Sequence, residues 1–144
     1  MSDSQTEQTR RVVSGIHAAS AKGDLEKERR LFSPQLVIEE PPYLPYGGTF
    51  HGYDGFMQLA TQAVEYVDFS SVKLESLTVE GHLAFAVVRV RLLSGPEIIA
   101  TEQWRVENGL AVHCRISWFD ATPAKGMSKL SPTGAAPISN PATR

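Results

Sequence analysis

The chain has 144 residues, one cysteine, and 14 Lys and Arg against 16 Asp and Glu. This length predicts one domain, the lone Cys114 excludes an internal disulfide framework and a cysteine-based zinc cage, and the balanced charge gives no reason to expect nucleic acid as a partner. The longest apolar stretch, residues 83–88, is far shorter than the ~20 residues of a membrane span. The first residues, MSDSQTEQTRR, contain no apolar signal segment. We therefore expect a cytoplasmic protein with no membrane partner.

Two helices and a short strand open the chain. Apolar residues at helical spacing predict a first helix over 6–22. Asp24 is a typical N-cap for a second helix, LEKERRLF, which the Ser33-Pro34 pair is expected to end. A strand over 36–40 then leads into PPYLPYGGTFHG, whose three prolines and three glycines predict a shaped loop.

After a third helix, the spacing of apolar residues changes from helical to alternating. A third helix is predicted over 53–67, and four strands follow over 69–80, 82–94, 97–107 and 110–120. The last two strands are separated by Asn-Gly, a strong hairpin signal, so the four strands form an antiparallel meander. Helices on one side of a curled antiparallel sheet make an α+β domain over 6–120. The Pro-, Ser- and Ala-rich residues 121–144 are expected to form a flexible tail.

Strand alternation places two carboxylates on faces that are otherwise apolar. Glu102 shares its face with Ile98, Ala100, Trp104 and Val106, where a carboxylate is costly unless it is paired or neutral. Glu40 ends the first strand on its apolar face, where a raised pKa would suit a general base. The alternatives are a wet rim or a hydroxyl partner for Glu102, and a solvated strand end for Glu40. In the last strand, alternation assigns the core face to Leu110, Val112, Cys114, Ile116 and Trp118.

Four segments carry a family resemblance. VVSGIHAASAKGDLEKERRLFSPQLVIEEPP is similar to the helix–GDL–helix–strand opening of the ketosteroid isomerases, PYGGTFHG looks like the SnoaL-like group, and EQWRVENG with WFDATP looks like the last hairpin of either. Over about residues 12–120 the chain thus resembles the nuclear transport factor 2-like (NTF2-like) superfamily, in particular its SnoaL-like polyketide cyclase and ketosteroid isomerase branches. The resemblance implies a cone-shaped sheet with the N-terminal helices on its concave face, and a homodimer.

The resemblance also implies roles for single residues. In the isomerases an acid-Pro pair after the first strand shuttles the proton, and Glu40 with Pro41 matches that pair. Glu102, two residues before Trp104, matches a protonated aspartate of the penultimate strand. Ile16 stands where the isomerases have the tyrosine that donates to the oxyanion, so half of that oxyanion hole is missing. The missing donor could come from one of two tyrosines in the loop, Tyr43 and Tyr46.

Together these residues predict a cofactor-independent acid–base enzyme that acts on a small hydrophobic molecule in an apolar cavity. The reaction would be a cyclisation, isomerisation or dehydration, with Glu40 moving the proton and a protonated Glu102 bonding the oxyanion. No metal or cofactor is expected. The alternative is a non-catalytic small-molecule-binding or accessory module, which the missing donor favours. The predicted substrate contacts are Ile16, His17, Tyr43, Tyr46, Phe56, Val88, Trp104, Cys114 and Trp118.

Overall fold

A computed structural model describes residues 2–127, with side chains from residue 4 onward. Residues 2–127 contain three α-helices and six strands, and a 3-10 helix over Thr122–Gly126 follows the sixth strand. No helix within 2–127 is long and apolar enough to cross a membrane. In chain order the helices and strands are α1 (Ser2–Ala21), α2 (Leu25–Arg30), β1 (Phe32–Glu40), β2 (Gly48–His51), α3 (Gly52–Ala63), β3 (Val67–Glu80), β4 (Leu83–Leu92), β5 (Glu97–Glu107) and β6 (Leu110–Trp118).

The six strands form one curled sheet that does not close, in the order β2-β1-β6-β5-β4-β3. The predicted meander of four antiparallel strands, β3 to β6, is confirmed. The sheet extends beyond it because β1 pairs with β6 in the parallel direction, and β2 pairs with β1 in the antiparallel direction. The sheet is therefore mixed, and β1, the first described strand, lies beside β6, the last one described.

The second helix is shorter than the sequence predicted. It ends at Arg30, and β1 already begins at Phe32, so Ser33 and Pro34 lie inside a strand. The register between β1 and β6 shifts between Phe32 and Val37. A proline, which has no N–H to donate, is tolerated where a ladder is interrupted in this way. The segment predicted as a loop also contains the short strand β2, which pairs with residues 37–40.

A register shift in the last hairpin changes which side chains of β6 face inward. Val106 pairs with Ala111 and the preceding Arg105 pairs with His113, so Val112 is an extra residue, as in a β-bulge. Ala111 is fully buried while Leu110 and Val112 are partly exposed. The predicted inward orientation is therefore wrong for Leu110 and Val112. Beyond the bulge, Cys114 is buried as predicted.

Two hydrogen bonds fix α1 across the inner face of the sheet. Thr9 Oγ1 donates to the carbonyl of Gly81 at 2.7 Å, and the Gly81 N–H donates to Thr6 Oγ1 at 2.8 Å. Gly81 has a φ of +59° in the tight turn between β3 and β4, a conformation that favours glycine. This turn anchors the first half of α1, so its second half lies over the middle of the sheet.

The sequence predicts that the domain ends at residue 120 and that a flexible tail follows. In the structure the 3-10 helix over Thr122–Gly126 follows β6, and Ala124 and Met127 pack against the core. The domain boundary and the flexibility of the tail stay predictions. The rest of the predicted tail, 128–144, lies outside the described residues.

Candidate functional site

A cavity of about 320 Å³ lies between the inner face of the sheet and the three helices. Most of its wall is apolar. Apart from the Trp104 indole and the Cys114 thiol, the polar side chains in the described lining are those of five residues: His17, Ser20, Glu28, Glu40 and Glu102. Such a combination of an apolar wall and a few convergent polar groups is typical of small-molecule sites. The apolar wall includes Ile16, Phe32, Ile38, Phe56, Leu59, Trp104, Cys114 and Ile116.

Four apolar side chains that line the cavity are also exposed to solvent. Leu25 of α2, Val64 after α3, and Phe69 and Val72 of β3 have relative exposures of 42%, 55%, 46% and 36%. We call these four residues the apolar rim. Because they touch both the cavity and solvent, they mark the entrance by which an apolar molecule would reach the interior.

Glu102 lies on the cavity wall in contact with two nitrogen atoms. Its Oε1 accepts a hydrogen bond from the Trp104 indole N–H at 2.9 Å and lies 2.8 Å from His17 Nε2. Alternation along β5 explains the first contact, because residues two apart share a face. The side chains of His17 and Glu102 are only 13% and 18% exposed. Burial alone would lower the pKa of His17, but the hydrogen bond to Glu102 and the charges of Glu102 and Glu28 outweigh it and raise that pKa.

Glu40 faces the same cavity from the end of β1. Burial raises its pKa to about 8, and the negative charge of Glu102 adds to the effect. Within the described residues no side chain or backbone group hydrogen-bonds its carboxyl, although such bonds would stabilise the charged form. The neighbouring Glu39 points to the opposite face, where His113 and Arg115 contact it. Adjacent carboxyls thus occupy opposite environments, as strand alternation predicted.

Glu28 is a cavity residue that the sequence analysis did not identify. In the structure it is 5% exposed and lines the cavity. Burial raises its pKa to about 7, with His17 opposing and Glu102 adding to the shift. The sequence does contain a pattern that indicates this position. Glu28 lies three residues after Leu25 and four before Phe32, which is the spacing of one helix face, and all three residues line the cavity.

The predicted binding residues divide into two groups. Ile16, His17, Phe56, Trp104 and Cys114 line the cavity, together with both candidate acids. The other four are outside the lining: Tyr43, Tyr46, Val88 and Trp118.

The four predicted binding residues that do not line the cavity pack against other parts of the domain. Tyr46 is buried against Tyr66, with ring centroids 5.9 Å apart. Tyr43 is half-exposed and packs edge-on against Trp118, and Val88 is part of the buried core under the helices. Burial and the charge of Glu40 raise the pKa of both tyrosines, so each lies near that carboxyl without lining the cavity. Neither tyrosine hydroxyl therefore replaces the donor that Ile16 lacks.

No family model and no curated protein matches this sequence. Solved structures do match. An NTF2-like protein of unknown function from Burkholderia pseudomallei K96243 is 21% identical, with a TM-score of 0.71 over 83% of this chain and 97% of that one. The fold of this chain is NTF2-like. The expected fold class is thereby confirmed, and the SnoaL-like and isomerase branches stay predictions.

Two further solved structures extend the comparison. Bal32a from a soil-derived mobile gene cassette is 17% identical, with a TM-score of 0.72 over 85% of this chain and 96% of that one. TerC, crystallised with polyporic acid, is 14% identical, with a TM-score of 0.69 over 80% of this chain and 93% of that one. At these identities the matches establish the fold, and the chemistry has to be argued from the side chains of the cavity.

Proposed function

We propose that this NTF2-like protein is a cofactor-independent acid–base enzyme and that the cavity is its active site. The observation that carries the proposal is the position of Glu40, a carboxyl in an apolar wall with a pKa of about 8. A group that exchanges its proton near neutral pH is suited to general acid–base catalysis. The reaction class is a cyclisation, isomerisation or dehydration of a small, mainly apolar carbonyl compound.

In the proposed mechanism, ionised Glu40 removes a proton from the carbon beside the ligand carbonyl. The electron pair moves into the carbonyl, whose oxygen gains negative charge. Glu102 donates to that oxygen from Oε2 in the state in which the proton of the His17–Glu102 pair lies on Glu102, because Trp104 and His17 both contact Oε1. Trp104 and His17 hold the Glu102 side chain in place for this role. Glu40 then returns its proton to the product at a different position, or to a leaving hydroxyl.

The second candidate function is non-catalytic binding of a small apolar molecule. Two observations favour it: Ile16 stands where the isomerases have a hydroxyl donor, and Tyr43 and Tyr46 are outside the lining. Proton transfer to and from the ligand separates the two functions, since a binding module needs none.

The test is proton exchange in heavy water, followed by ¹H NMR of small apolar ketones such as 2-tetralone. We expect the protein to accelerate loss of the proton beside the carbonyl, with a rate that rises as Glu40 ionises and levels off above about pH 8. Glu40→Gln should lower the rate by roughly 10²- to 10⁴-fold.

Glu39→Gln is the matched control, because Glu39 neighbours Glu40 in sequence but faces away from the cavity. Equal exchange in the wild type and in Glu40→Gln across the ketone series would refute the catalytic proposal in favour of the binding one. The homodimer is part of the same proposal, and light scattering on the purified protein would test it.

A further inference from the structure

Glu28 is the one carboxyl of the cavity that the proposed mechanism does not use. It is 5% exposed, and within residues 2–127 no side chain or backbone group hydrogen-bonds its carboxyl. Within the described residues every fully buried side-chain oxygen has a hydrogen-bond partner, so the unpartnered Glu28 carboxyl reaches the open space of the cavity. Since Glu28 lines the cavity, its missing partner can come from a bound ligand.

The position of Glu28 on α2 places it near the entrance. Leu25 belongs to the apolar rim and lies one helical turn before Glu28, on the same helix face. Asp24 caps the helix by accepting a hydrogen bond from the Lys27 N–H at 3.1 Å, so the start of this turn is held in place. Glu28 therefore lies on the helical wall of the cavity next to a rim residue, whereas Glu40 and Glu102 lie on the sheet.

The charges around Glu28 determine which ligand group it can accept. The titratable groups that share the cavity with it are His17 from α1, Glu40 from β1, and Glu102 and Cys114 from the sheet. No Lys or Arg is among the described residues that line this cavity. As the pH rises through the pKa values of Glu28 and Glu40, about 7 and about 8, the cavity gains negative charge, so it increasingly repels an added carboxylate and favours groups that donate hydrogen bonds.

We propose that Glu28 is a ligand-binding residue that accepts a hydrogen bond from a hydroxyl or primary amine of the ligand, so that the cavity selects such compounds over carboxylates of the same shape. This requires the cavity to be a ligand site, as in the proposed function, but it does not require catalysis by Glu40 or Glu102. The hydrogen bond to Glu28 should change affinity by roughly 10- to 100-fold.

Three probes of one shape test the proposal: 2-naphthylmethylamine, 2-naphthalenemethanol and 2-naphthoate. Isothermal titration calorimetry near neutral pH should show that the wild type binds the amine and the alcohol at least roughly 10-fold more tightly than the carboxylate. In Glu28→Gln the amine should lose its advantage, because a neutral amide does not balance its charge. The alcohol should keep part of its affinity, because the amide oxygen still accepts a hydrogen bond.

Glu26→Gln is the matched control. Glu26 lies on the same helix but is exposed, 3.9 Å from the Arg29 and Arg30 guanidinium groups. Its variant should keep the wild-type preference.

Titrations in buffers of different ionisation enthalpy should also show that amine binding releases protons from the wild type and releases fewer from Glu28→Gln, because the ammonium favours ionised Glu28.

The outcomes separate this inference from the proposed function. Equal affinity of the wild type for the three probes, or an unchanged preference in Glu28→Gln, overturns the role of Glu28 and leaves the acid–base proposal standing. No binding of any probe at millimolar concentration overturns both. If Glu28→Gln does not fold, the wild type still decides, because its preference for the amine should strengthen as the pH rises and Glu28 ionises. A preference independent of pH overturns the inference.

Discussion

Replacing the candidate base Glu40 with glutamine should stabilise the protein at neutral and alkaline pH. Burial of Glu40 shifts its pKa from 4.5 to about 8. Between these pH values the folded state retains a proton that the unfolded state has lost, so the wild type loses stability as the pH rises. A pKa difference of this size corresponds to at most about 5 kcal/mol once Glu40 is fully ionised, and to about 3 kcal/mol at pH 7.

Urea unfolding, followed by tryptophan fluorescence from about pH 4 to about pH 9, measures this difference. The two free energies of unfolding should converge at the acidic end, where Glu40 is protonated and resembles glutamine. They should diverge as the pH rises, with Glu40→Gln the more stable protein.

The control variant, Glu39→Gln, should have the opposite sign. Hydrogen bonds from His113 and Arg115 lower the pKa of Glu39. Ionised Glu39 therefore stabilises the fold at pH values above the ordinary pKa of a glutamate, and this stabilisation is lost as the pH falls through the lowered pKa. Parallel curves for the wild type and Glu40→Gln at every pH would show that Glu40 is not held in an apolar wall. The reasoning about the cavity would then be wrong.

Three further predictions concern the site and the hairpin next to it. Glu102→Gln should lower the pKa of His17 in an NMR titration of the imidazole, because it removes a charge-assisted hydrogen bond, whereas Glu26→Gln should leave that pKa in place. Cys114, which is 1% exposed, should react slowly with a thiol reagent in the native protein and at once in guanidinium, and rapid native labelling would contradict its burial. Gly109→Ala should destabilise the protein by about 1 kcal/mol in urea unfolding, because the native φ is +76°, and an unchanged midpoint would contradict this.

Much of the fold could be predicted because local signals and the final structure agree. The change from helical to alternating period marks where the helices give way to the meander, and the Asn108-Gly109 pair forms a two-residue turn with both φ values positive, at 52° and 76°. Strand β2 could not be predicted, because four residues among glycines and prolines carry no period of their own. They pair only because β1 offers a free edge.

The candidate acids were predictable because alternation is a strong constraint on a strand. It placed Glu40 and Glu102 on inner faces, and both line the cavity. Alternation identifies the face of the sheet on which a side chain lies, but not where along the strand that face borders the cavity. For this reason Val88 was predicted to contact a ligand, although it belongs to the packed core. Glu28 was missed for a different reason: a helix of six residues is too short for its amphipathic pattern to stand out from the charges around it.

The pairing of β1 with β6 has a consequence for how the protein is made. Residues 32–40 leave the ribosome more than 70 residues before their neighbours in the sheet, which lie in 110–118. During synthesis the edge of β1 that pairs with β6 stays unpaired while residues 41–109 are translated. The apolar surroundings of Glu40 are complete only once β6 has been made. A nascent chain that stalls before residue 110 would therefore expose the apolar side chains of β1.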